Sequence, residues 1–121
     1  FTGYVDDIRP FVAKCQICVV PLRQGAGTRL KILEAMALGT AVISTTKGAE
    51  GLEVTNNEHT ILADSPADFA RGVIQLLNDP NARKNLEQNA SALIKKVYDW
   101  KIIENKFSDQ LLFFESDRNK A

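Results

Sequence analysis

Several features are scarce or missing in this chain of 121 residues. No apolar run approaches the roughly 20 residues that a membrane-spanning helix needs, and no signal peptide is recognisable. Fifteen basic residues balance fifteen acidic ones, which gives a net charge of zero. Without an overall field of one sign, the chain has no general attraction for nucleic acid or for an anionic membrane. We therefore expect a globular domain that neither spans a membrane nor binds nucleic acid.

Cysteine and histidine are also scarce. Cys15 and Cys18 form an isolated C-Q-I-C, a spacing that is compatible with a zinc site or a disulfide. The chain has no second cysteine pair, however, and its one histidine, His59, is far away in sequence. Cys18 lies in the run I-C-V-V, which is typical of a buried strand, where free cysteine is common. We predict two buried thiols in a reducing, cytoplasmic compartment and no metal site.

The composition that is present is that of an ordinary globular domain. Hydrophobic residues make up 45% of the chain and charged residues 25%, which excludes disorder. The length suits one domain with a sizeable core. Because the chain begins at Phe1 instead of Met, we expect it to be a piece of a longer protein.

Strand and helix patterns alternate along the first half of the chain. Asp7 is a suitable helix N-cap, and Pro10 then falls in the first helical turn, where its missing N–H does no harm. Apolar, β-branched runs predict buried strands, and Gly39 predicts the left-handed end of a helix. The predicted elements are a strand at 1–5, a helix from Asp7 to Lys14, a strand at 16–22, a helix at 28–38, a strand at 40–45, a loop at 46–52 and a strand at 59–63.

The second half of the chain is helical in pattern. Ser65 and Pro66 supply the cap and first-turn residue of a helix that continues through Asn78, and Asp79-Pro80 breaks it. Apolar residues then repeat at helical spacing in two further segments, namely Leu86, Ala90, Leu93 and Val97, and then Trp100, Ile103, Phe107, Leu111 and Phe114. This alternating order predicts an α/β fold, with a parallel sheet flanked by helices.

The turn after the strand at 16–22 indicates a binding site. In parallel α/β sheets, ligands lie beyond the carboxyl ends of the strands, where glycine turns lead into helix N-termini. Gly25 and Gly27 let the backbone approach a ligand closely because they have no Cβ. The free N–H groups from Gly27 to Leu30 and the positive end of the helix form an anion site suited to phosphate. The alternative is a tight turn that Thr28 caps, without a ligand.

Glu34 is the one carboxylate in the helix predicted at 28–38. On a wheel of about 100° per residue, that helix is apolar nearly all round, and only Lys31 and Glu34 share a narrow polar stripe. Glu34 lies about 9 Å along the helix axis from Thr28. This separation suits a nucleotide diphosphate whose phosphates meet the amides and whose ribose hydroxyls donate to Glu34. The alternative is an i,i+3 ion pair between Lys31 and Glu34.

These residues carry a resemblance to a known family. V-P-L-R-x-G-x-G-T-R-L-K-I-L-E-A-M-A-x-G, followed by V-I-S-T-x-x-G-x-E-G-L, resembles the donor-nucleotide motif of retaining GT-B glycosyltransferases of group 1, the family 4 type. G-Y-V-D-D-I-R-P at 3–10 is similar to the preceding segment of that family, and Y-D-W at 98–100 to its C-terminal end. The resemblance covers essentially the whole chain and is most specific at 21–52.

The resemblance implies the C-terminal, donor-binding half of a GT-B enzyme with two Rossmann-like domains. Such an enzyme moves a sugar from a nucleotide-sugar to an acceptor with retained anomeric configuration. It stabilises the leaving diphosphate with backbone amides and basic side chains instead of a metal, and this chain has no D-x-D triplet. The nucleotide diphosphate-sugar is then a substrate, and no cofactor is needed. The acceptor-binding N-terminal domain and the start of this domain are expected to lie outside the chain, which alone would be inactive. Peripheral membrane association of the full enzyme is compatible with the resemblance.

Ala26 departs from the family pattern. The family commonly has two glutamates eight positions apart, of which Glu34 matches the second, and the first usually contacts the donor sugar. With Ala26 in the first position, that contact is lost or comes from elsewhere, such as backbone amides. A non-catalytic nucleotide-binding module of the same fold is therefore an alternative function. An epimerase of the GT-B fold is not expected to carry the L-E-A-M-A-x-G block.

Further charged residues lie at the predicted ligand edge. Arg23 either faces the diphosphate or is an ordinary exposed loop residue. Lys47 and Glu50 follow the next strand, where Glu50 is a candidate ligand contact unless the loop only makes a turn. His59 is predicted to be structural, and the apolar helix from Trp100 to Glu115 to be core, domain contact or a surface for self-association. The candidate nucleotide-sugar-binding residues are thus Arg23, Gly25, Gly27, Thr28, Arg29, Leu30, Glu34 and Glu50, and no catalytic residue is assigned.

Overall fold

The computed structural model describes residues 3–25 and 29–98. In chain order, their helices and strands are α1 (Arg9–Lys14), β1 (Ile17–Val20), α2 (Arg29–Ala37), β2 (Ala41–Ser44), β3 (Ile61–Leu62), α3 (Pro66–Asn78) and α4 (Pro80–Val97). The helix predicted from Trp100 onward lies outside the described residues, as do Gly27 and Thr28.

The three strands form one parallel sheet in the order β1-β2-β3. The central strand is β2, in which Val42 pairs with Cys18 of β1 and Ile43 pairs with Ile61 of β3. Each strand lies inside a range that the apolar runs predict, although each is shorter than its range because the flanking residues turn into loops. The predicted parallel arrangement is confirmed.

Helices cover both faces of the sheet. Successive side chains of a strand point to opposite faces, and β2 follows this rule. Val42 packs in one apolar cluster with α2, whereas Ala41 and Ile43 pack in another with α3. Helix α4 reaches both clusters, through Ala90 on the first side and Leu86 on the second. The central strand is therefore buried on both faces, as expected for a parallel sheet.

Gly39 ends α2 as predicted. Its φ of +81° lies in the left-handed region. The Gly39 amide donates to the Met36 carbonyl at 3.1 Å, and the Thr40 amide donates to the Ala35 carbonyl at 2.9 Å. This pair of bonds is the Schellman pattern, which satisfies carbonyl groups that the last turn of a helix leaves unpaired.

The helix boundaries predicted at Ser65 and at Asp79-Pro80 are also confirmed. The Ser65 hydroxyl caps α3 by accepting the Asp68 amide at 3.1 Å. The Asp79 carboxylate caps α4 by accepting the Ala82 amide at 3.1 Å, and Pro80 is the first residue of α4. Asp79-Pro80 thus ends one helix and starts the next.

The first residues differ from the prediction. Residues 3–5 form no strand, so the strand predicted at 1–5 is wrong in its described part. An extended segment needs a neighbouring strand, and none lies beside these residues in the described part of the chain. Helix α1 begins at Arg9, and Asp7 acts from just outside it by accepting the Arg9 amide at 3.0 Å. The helix includes Pro10 in its first turn and ends at Lys14, as predicted.

The prediction of two buried thiols is wrong for Cys15. This residue follows the last residue of α1 and is exposed, and its thiol donates to the Phe11 carbonyl at 3.1 Å. Cys18 is partly buried in β1, and burial raises the pKa of its thiol. Both cysteines are free thiols. The apolar run marks the strand correctly, but Cys15 precedes that strand and so stays at the surface.

Candidate functional site

The carboxyl ends of the strands meet at one edge of the sheet because the strands are parallel. The Thr45 amide donates to the Val20 carbonyl at 3.2 Å, and the Ala63 amide donates to the Ser44 carbonyl at 2.9 Å. The ladder therefore continues one residue past the ends of β2 and β3. The residues that follow each strand are held side by side at this edge.

Thr45 joins the loop after β1 to the loop after β2. Its hydroxyl donates to the Leu22 carbonyl and accepts the Gly48 amide at 3.0 Å. Gly48 is buried, and a Cβ there would come within 2.5 Å of Oγ of Ser44. Because glycine lacks that atom, the loop after β2 can fold tightly against the sheet edge.

Asp64 joins the loop after β2 to the end of β3. Its two carboxylate oxygens accept hydrogen bonds from the Thr46 amide at 2.8 Å and the Thr46 hydroxyl at 2.7 Å. Both hydrogen bonds hold the pKa of Asp64 below its ordinary value, and the bond from the Thr46 hydroxyl has the larger effect. Sequence reasoning missed Asp64, although its place directly after the last strand is a signal that identifies residues at this edge.

We expect Asp64→Asn to destabilise the chain at neutral pH more than at acid pH. The pKa of Asp64 is lower in the folded state than in the unfolded state, where it is about 3.9. The ionised carboxylate therefore stabilises the fold at pH values above the unfolded pKa, and this stabilisation is lost as the pH falls through the folded-state pKa. Urea unfolding at neutral pH and well below pH 4 tests this, with the exposed Asp6→Asn as the matched control. A difference between wild type and Asp64→Asn that does not shrink in acid would contradict the assigned role.

A groove of about 290 Å³ lies at this edge, between the loop after β1 and the start of α3. Four of its lining residues are apolar, namely Pro21, Pro66, Phe69 and Ala70. The other four are polar or charged, namely Arg23, Thr45, Asp64 and Ser65. An adjoining cavity of about 350 Å³ shares Arg23 and Asp64 and extends to Lys47. Two cations, Arg23 and Lys47, therefore face the same depression.

Lys47 and Glu50 pair with each other. Nζ of Lys47 lies 2.7 Å from Oε2 of Glu50, and both side chains are about half exposed. An exposed ion pair of this kind contributes less than about 1 kcal/mol to stability. Lys47 can therefore turn towards a ligand at little energetic cost, and the contact of Glu50 with a ligand stays a prediction.

Gly25 is exposed at the last described position of the loop after β1. Its φ of +94° is a backbone conformation that residues with a side chain rarely adopt. Apart from its neighbours in the chain, no described atom lies within 4 Å of where a Cβ would be. Helix α2 begins at Arg29, just after the turn. We expected this apolar helix to be buried, but Leu30 in its first turn is 60% exposed. Because Gly27 and Thr28 lie outside the described residues, the anion site stays a prediction.

Glu34 lies partly buried in the middle of α2. In the described part of the chain, its carboxylate forms no ion pair with Lys31, so the predicted alternative is not realised. Arg9, at the start of α1, is near enough to be affected by it. The hydrogen bonds that the Arg9 guanidinium donates to Asp7 are the main cause that raises its pKa, and the charge of Glu34 adds to it.

The structure brings only some of the predicted residues together. Arg23 and Lys47 face one depression, whereas Glu34 is not among the described residues that line it. Sequence reasoning missed Arg9, the first residue of α1, which the packing of α1 against α2 brings within range of the charge of Glu34. No local pattern marks that proximity.

Other candidates carry no site. His59 is structural, as predicted, because its Nδ1 accepts the Thr55 amide at 3.0 Å. Residues 3–25 and 29–98 contain no group of three or more histidine, cysteine, aspartate or glutamate side chains that could hold a metal ion. Within the same ranges, no helix combines the length and apolar character that crossing a membrane requires.

Comparisons with known proteins agree with this architecture. A family model described as glycosyl transferases group 1 matches residues 1–79. An uncharacterized glycosyltransferase of Methanocaldococcus jannaschii is 31% identical over 105 residues, which are 84% of this chain and 27% of that protein. An uncharacterized 44.6 kDa protein in the cps region of Klebsiella pneumoniae is 33% identical over 85 residues, which are 70% of this chain and 22% of that protein. The chain thus spans about a quarter of the length of these curated relatives.

A solved structure has the same fold. The C-terminal domain of a glycosyl transferase group 1 family protein from Francisella tularensis matches with a TM-score of 0.74 and 28% identity. The match covers 81% of this chain and 52% of that one. The predicted fold class is therefore confirmed as a parallel sheet flanked by helices that matches the C-terminal domain of a GT-B glycosyltransferase.

Proposed function

This chain belongs to the group 1 glycosyltransferases, and on that premise we propose that it binds the donor in a sugar-transfer reaction. The proposed donor is a nucleotide diphosphate-sugar. Its sugar passes to an acceptor with retention of the anomeric configuration, and neither a metal ion nor a cofactor takes part. An N-terminal domain of the same protein holds the acceptor in this proposal.

One observation carries the proposal: a glycine turn leads from the carboxyl end of β1 to the N-terminus of α2. A helix presents free amide groups and the positive end of its dipole at that point, and both favour phosphate. Among the described residues, the exposed Gly25 and Leu30 on either side of the turn are compatible with a ligand there. Arg23 and Lys47, at the neighbouring depression, supply positive charge for the diphosphate that leaves.

The position of Glu34 favours a nucleotide as the ligand over a simple phosphate ion. Glu34 lies five residues beyond Arg29, the first residue of α2, or about 7.5 Å along the helix axis, which matches the span from a diphosphate to a ribose. An ionised carboxylate accepts two hydroxyl hydrogen bonds, and the neighbouring hydroxyls of a ribose offer two. Because Glu34 is partly buried, the two donors would offset the cost of removing its charge from water.

The reaction divides between this chain and the acceptor domain. The bond from the anomeric carbon to the diphosphate oxygen breaks, a bond from the same carbon to the acceptor oxygen forms, and the proton of the acceptor hydroxyl passes to the departing diphosphate oxygen. In the proposal, the residues around the turn and Arg23 hold the diphosphate as its negative charge increases. Amide donors fixed in position beforehand stabilise such charge more effectively than water does.

A non-catalytic nucleotide-binding module is the second candidate, and Ala26 favours it. The family's usual first glutamate is replaced by a side chain that cannot hydrogen-bond to a sugar. This candidate predicts that the full-length protein binds a nucleoside diphosphate and the matching nucleotide-sugar equally well and turns neither over. The transferase proposal predicts turnover.

Substitution of Glu34 tests the proposed donor site. We expect Glu34→Ala to weaken nucleoside diphosphate binding by about 1.5–3 kcal/mol, the range for hydrogen bonds to charged groups. Isothermal titration of the full-length protein with a panel of nucleoside diphosphates measures this. Folding should survive because the side chain is only partly buried, and circular dichroism checks it.

Lys31→Ala is the matched control for Glu34→Ala. Lys31 is exposed on the same helix, and we expect its removal to change the affinity by less than about 0.5 kcal/mol. Unchanged affinity in Glu34→Ala, or an equal loss in both variants, would exclude Glu34 as the ribose ligand.

A further inference from the structure

The groove between the loop after β1 and the start of α3 has a part that the proposed phosphate contacts do not use. Arg23 is assigned to the diphosphate, whereas Asp64, Ser65 and Phe69, which line the same groove, have no role in the proposed function. The groove measures about 290 Å³. Protein sites for drug-sized ligands occupy about 300–1,000 Å³, so this groove suits one small ring and not a whole nucleotide.

The polar side chains of the groove keep hydrogen-bonding capacity that the fold does not use. The two carboxylate oxygens of Asp64 each accept one bond from Thr46, and such an oxygen can accept two. The Ser65 oxygen accepts the Asp68 amide, which leaves the Ser65 hydrogen to donate. Arg23 is exposed and forms no ion pair with any described residue. Arg23 and Asp64 therefore line one groove with opposite charges that do not pair with each other.

Asp64 favours a ligand with neighbouring hydroxyl groups. The hydrogen bonds from Thr46 hold the pKa of Asp64 below its ordinary value, so the side chain is ionised at neutral pH. An ionised carboxylate can only accept hydrogen bonds, and two neighbouring hydroxyls supply two donors. The same charge repels a carboxylate on the ligand. Asp64 thus selects a neutral polyhydroxyl compound over an acidic one.

Phe69 provides an apolar surface beside these polar groups. It packs partly against the cluster that contains Ile43 and Leu76, which holds it in place, and it also lines the groove. A sugar ring has a face made largely of C–H groups and an edge of hydroxyls, so it fits an aromatic ring that lies next to hydrogen-bonding side chains. A nucleobase also packs on an aromatic ring, but it has no pair of hydroxyls for Asp64.

We propose that this groove binds the sugar of the donor and that the sugar is neutral: two of its hydroxyls donate to Asp64, and its C–H face packs on Phe69. The assignment rests on the proposed function. The adjoining cavity shares Arg23 and Asp64 with the groove and extends to Lys47, so a sugar attached to a diphosphate at the two cations lies next to the groove. Asp64 then supplies the carboxylate that the methyl group of Ala26 cannot.

Isothermal titration of the full-length protein tests the groove. The probes are UDP, GDP, ADP and dTDP, each alone and joined to glucose, galactose or mannose. We expect Asp64→Asn to weaken the tightest of these neutral conjugates about tenfold or more and the free diphosphate less than about twofold, because the variant removes hydrogen bonds from hydroxyls to a charged group. The unchanged affinity for the free diphosphate also shows that the variant is folded.

A conjugate of the same nucleotide with glucuronic acid should respond in the opposite direction. We expect it to bind Asp64→Asn at least about threefold more tightly than the wild type, because the variant removes the repulsion between two carboxylates. A purely structural role of Asp64 would weaken every ligand alike. Asp68→Asn is the matched control, since it removes a carboxylate from the first turn of the same helix without lining the groove, and it should leave every affinity unchanged.

Phe69→Leu is the second variant. It keeps an apolar side chain in the cluster but removes the aromatic ring, and we expect it to weaken the neutral conjugate about three- to tenfold and not the free diphosphate. If the wild type binds none of the free diphosphates, the proposed function is wrong and the groove assignment falls with it. If the diphosphate binds and both variants weaken it as much as they weaken the conjugate, or if both variants bind every conjugate like the wild type, the groove assignment alone is overturned.

Discussion

The 121-residue chain alone should show no glycosyl transfer and should bind nucleotide weakly if at all. Transfer requires the anomeric carbon of the donor and the hydroxyl of the acceptor to be held together, and positioning of this kind corresponds to effective concentrations of about 10⁵–10⁸ M. In our proposal the acceptor is held by an N-terminal domain that is not part of this chain. We therefore expect a rate at least about 10⁵-fold below that of the full-length enzyme.

The assay for this prediction compares the two proteins directly. Each is incubated with a panel of nucleotide-sugars and candidate acceptors, and the released nucleoside diphosphate and the glycosylated product are both quantified. Circular dichroism and size-exclusion chromatography must first show that the 121-residue chain is folded and whether it self-associates. Transfer by this chain above the uncatalysed background would mean that it carries a complete active site.

The substitution Gly27→Val should abolish diphosphate binding by the full-length protein. It places a β-branched side chain where the proposed phosphate must meet the amides at the start of α2. The loss should appear for nucleoside diphosphates, whereas a nucleoside without phosphates should bind almost as before. This contrast separates a blocked phosphate site from a general collapse of the domain.

Gln24→Val is the matched control for Gly27→Val. Gln24 is exposed in the same turn, so this variant adds the same side chain to the loop away from the proposed amide cradle. We expect it to retain nearly wild-type affinity and an unchanged circular dichroism spectrum. If nucleoside monophosphates and diphosphates bind equally well to the wild type, the phosphate site is not at this turn.

The residues that we propose for donor binding differ in how far the structure supports their roles. Arg23 and Lys47 face a common depression at the carboxyl edge of the sheet, which is compatible with a shared anionic ligand. Glu34, in the middle of α2, is not among the described residues that line that depression. A ligand that reaches both places has to extend across the glycine turn. A nucleotide diphosphate-sugar is such a ligand, and a phosphate ion is not.

The sequence by itself determined the local features of the fold. Gly39, Ser65 and Asp79-Pro80 mark helix ends correctly because each acts on backbone groups within a few residues of itself. The apolar runs locate β1 and β2 because a strand buried on both faces excludes polar side chains. The glycine turn between β1 and α2 follows from these two kinds of signal together.

Only the tertiary structure decided the features that depend on distant parts of the chain. Residues 3–5 have a β-rich composition but form no strand, because pairing requires a neighbour that composition does not supply. Cys15 is exposed although it lies near a buried strand. The bonds from Thr46 to Asp64 join loops that lie far apart in sequence. Hydrogen bonds and charges act over a few ångströms of space, so their partners are fixed by how the helices pack on the sheet and not by spacing along the chain.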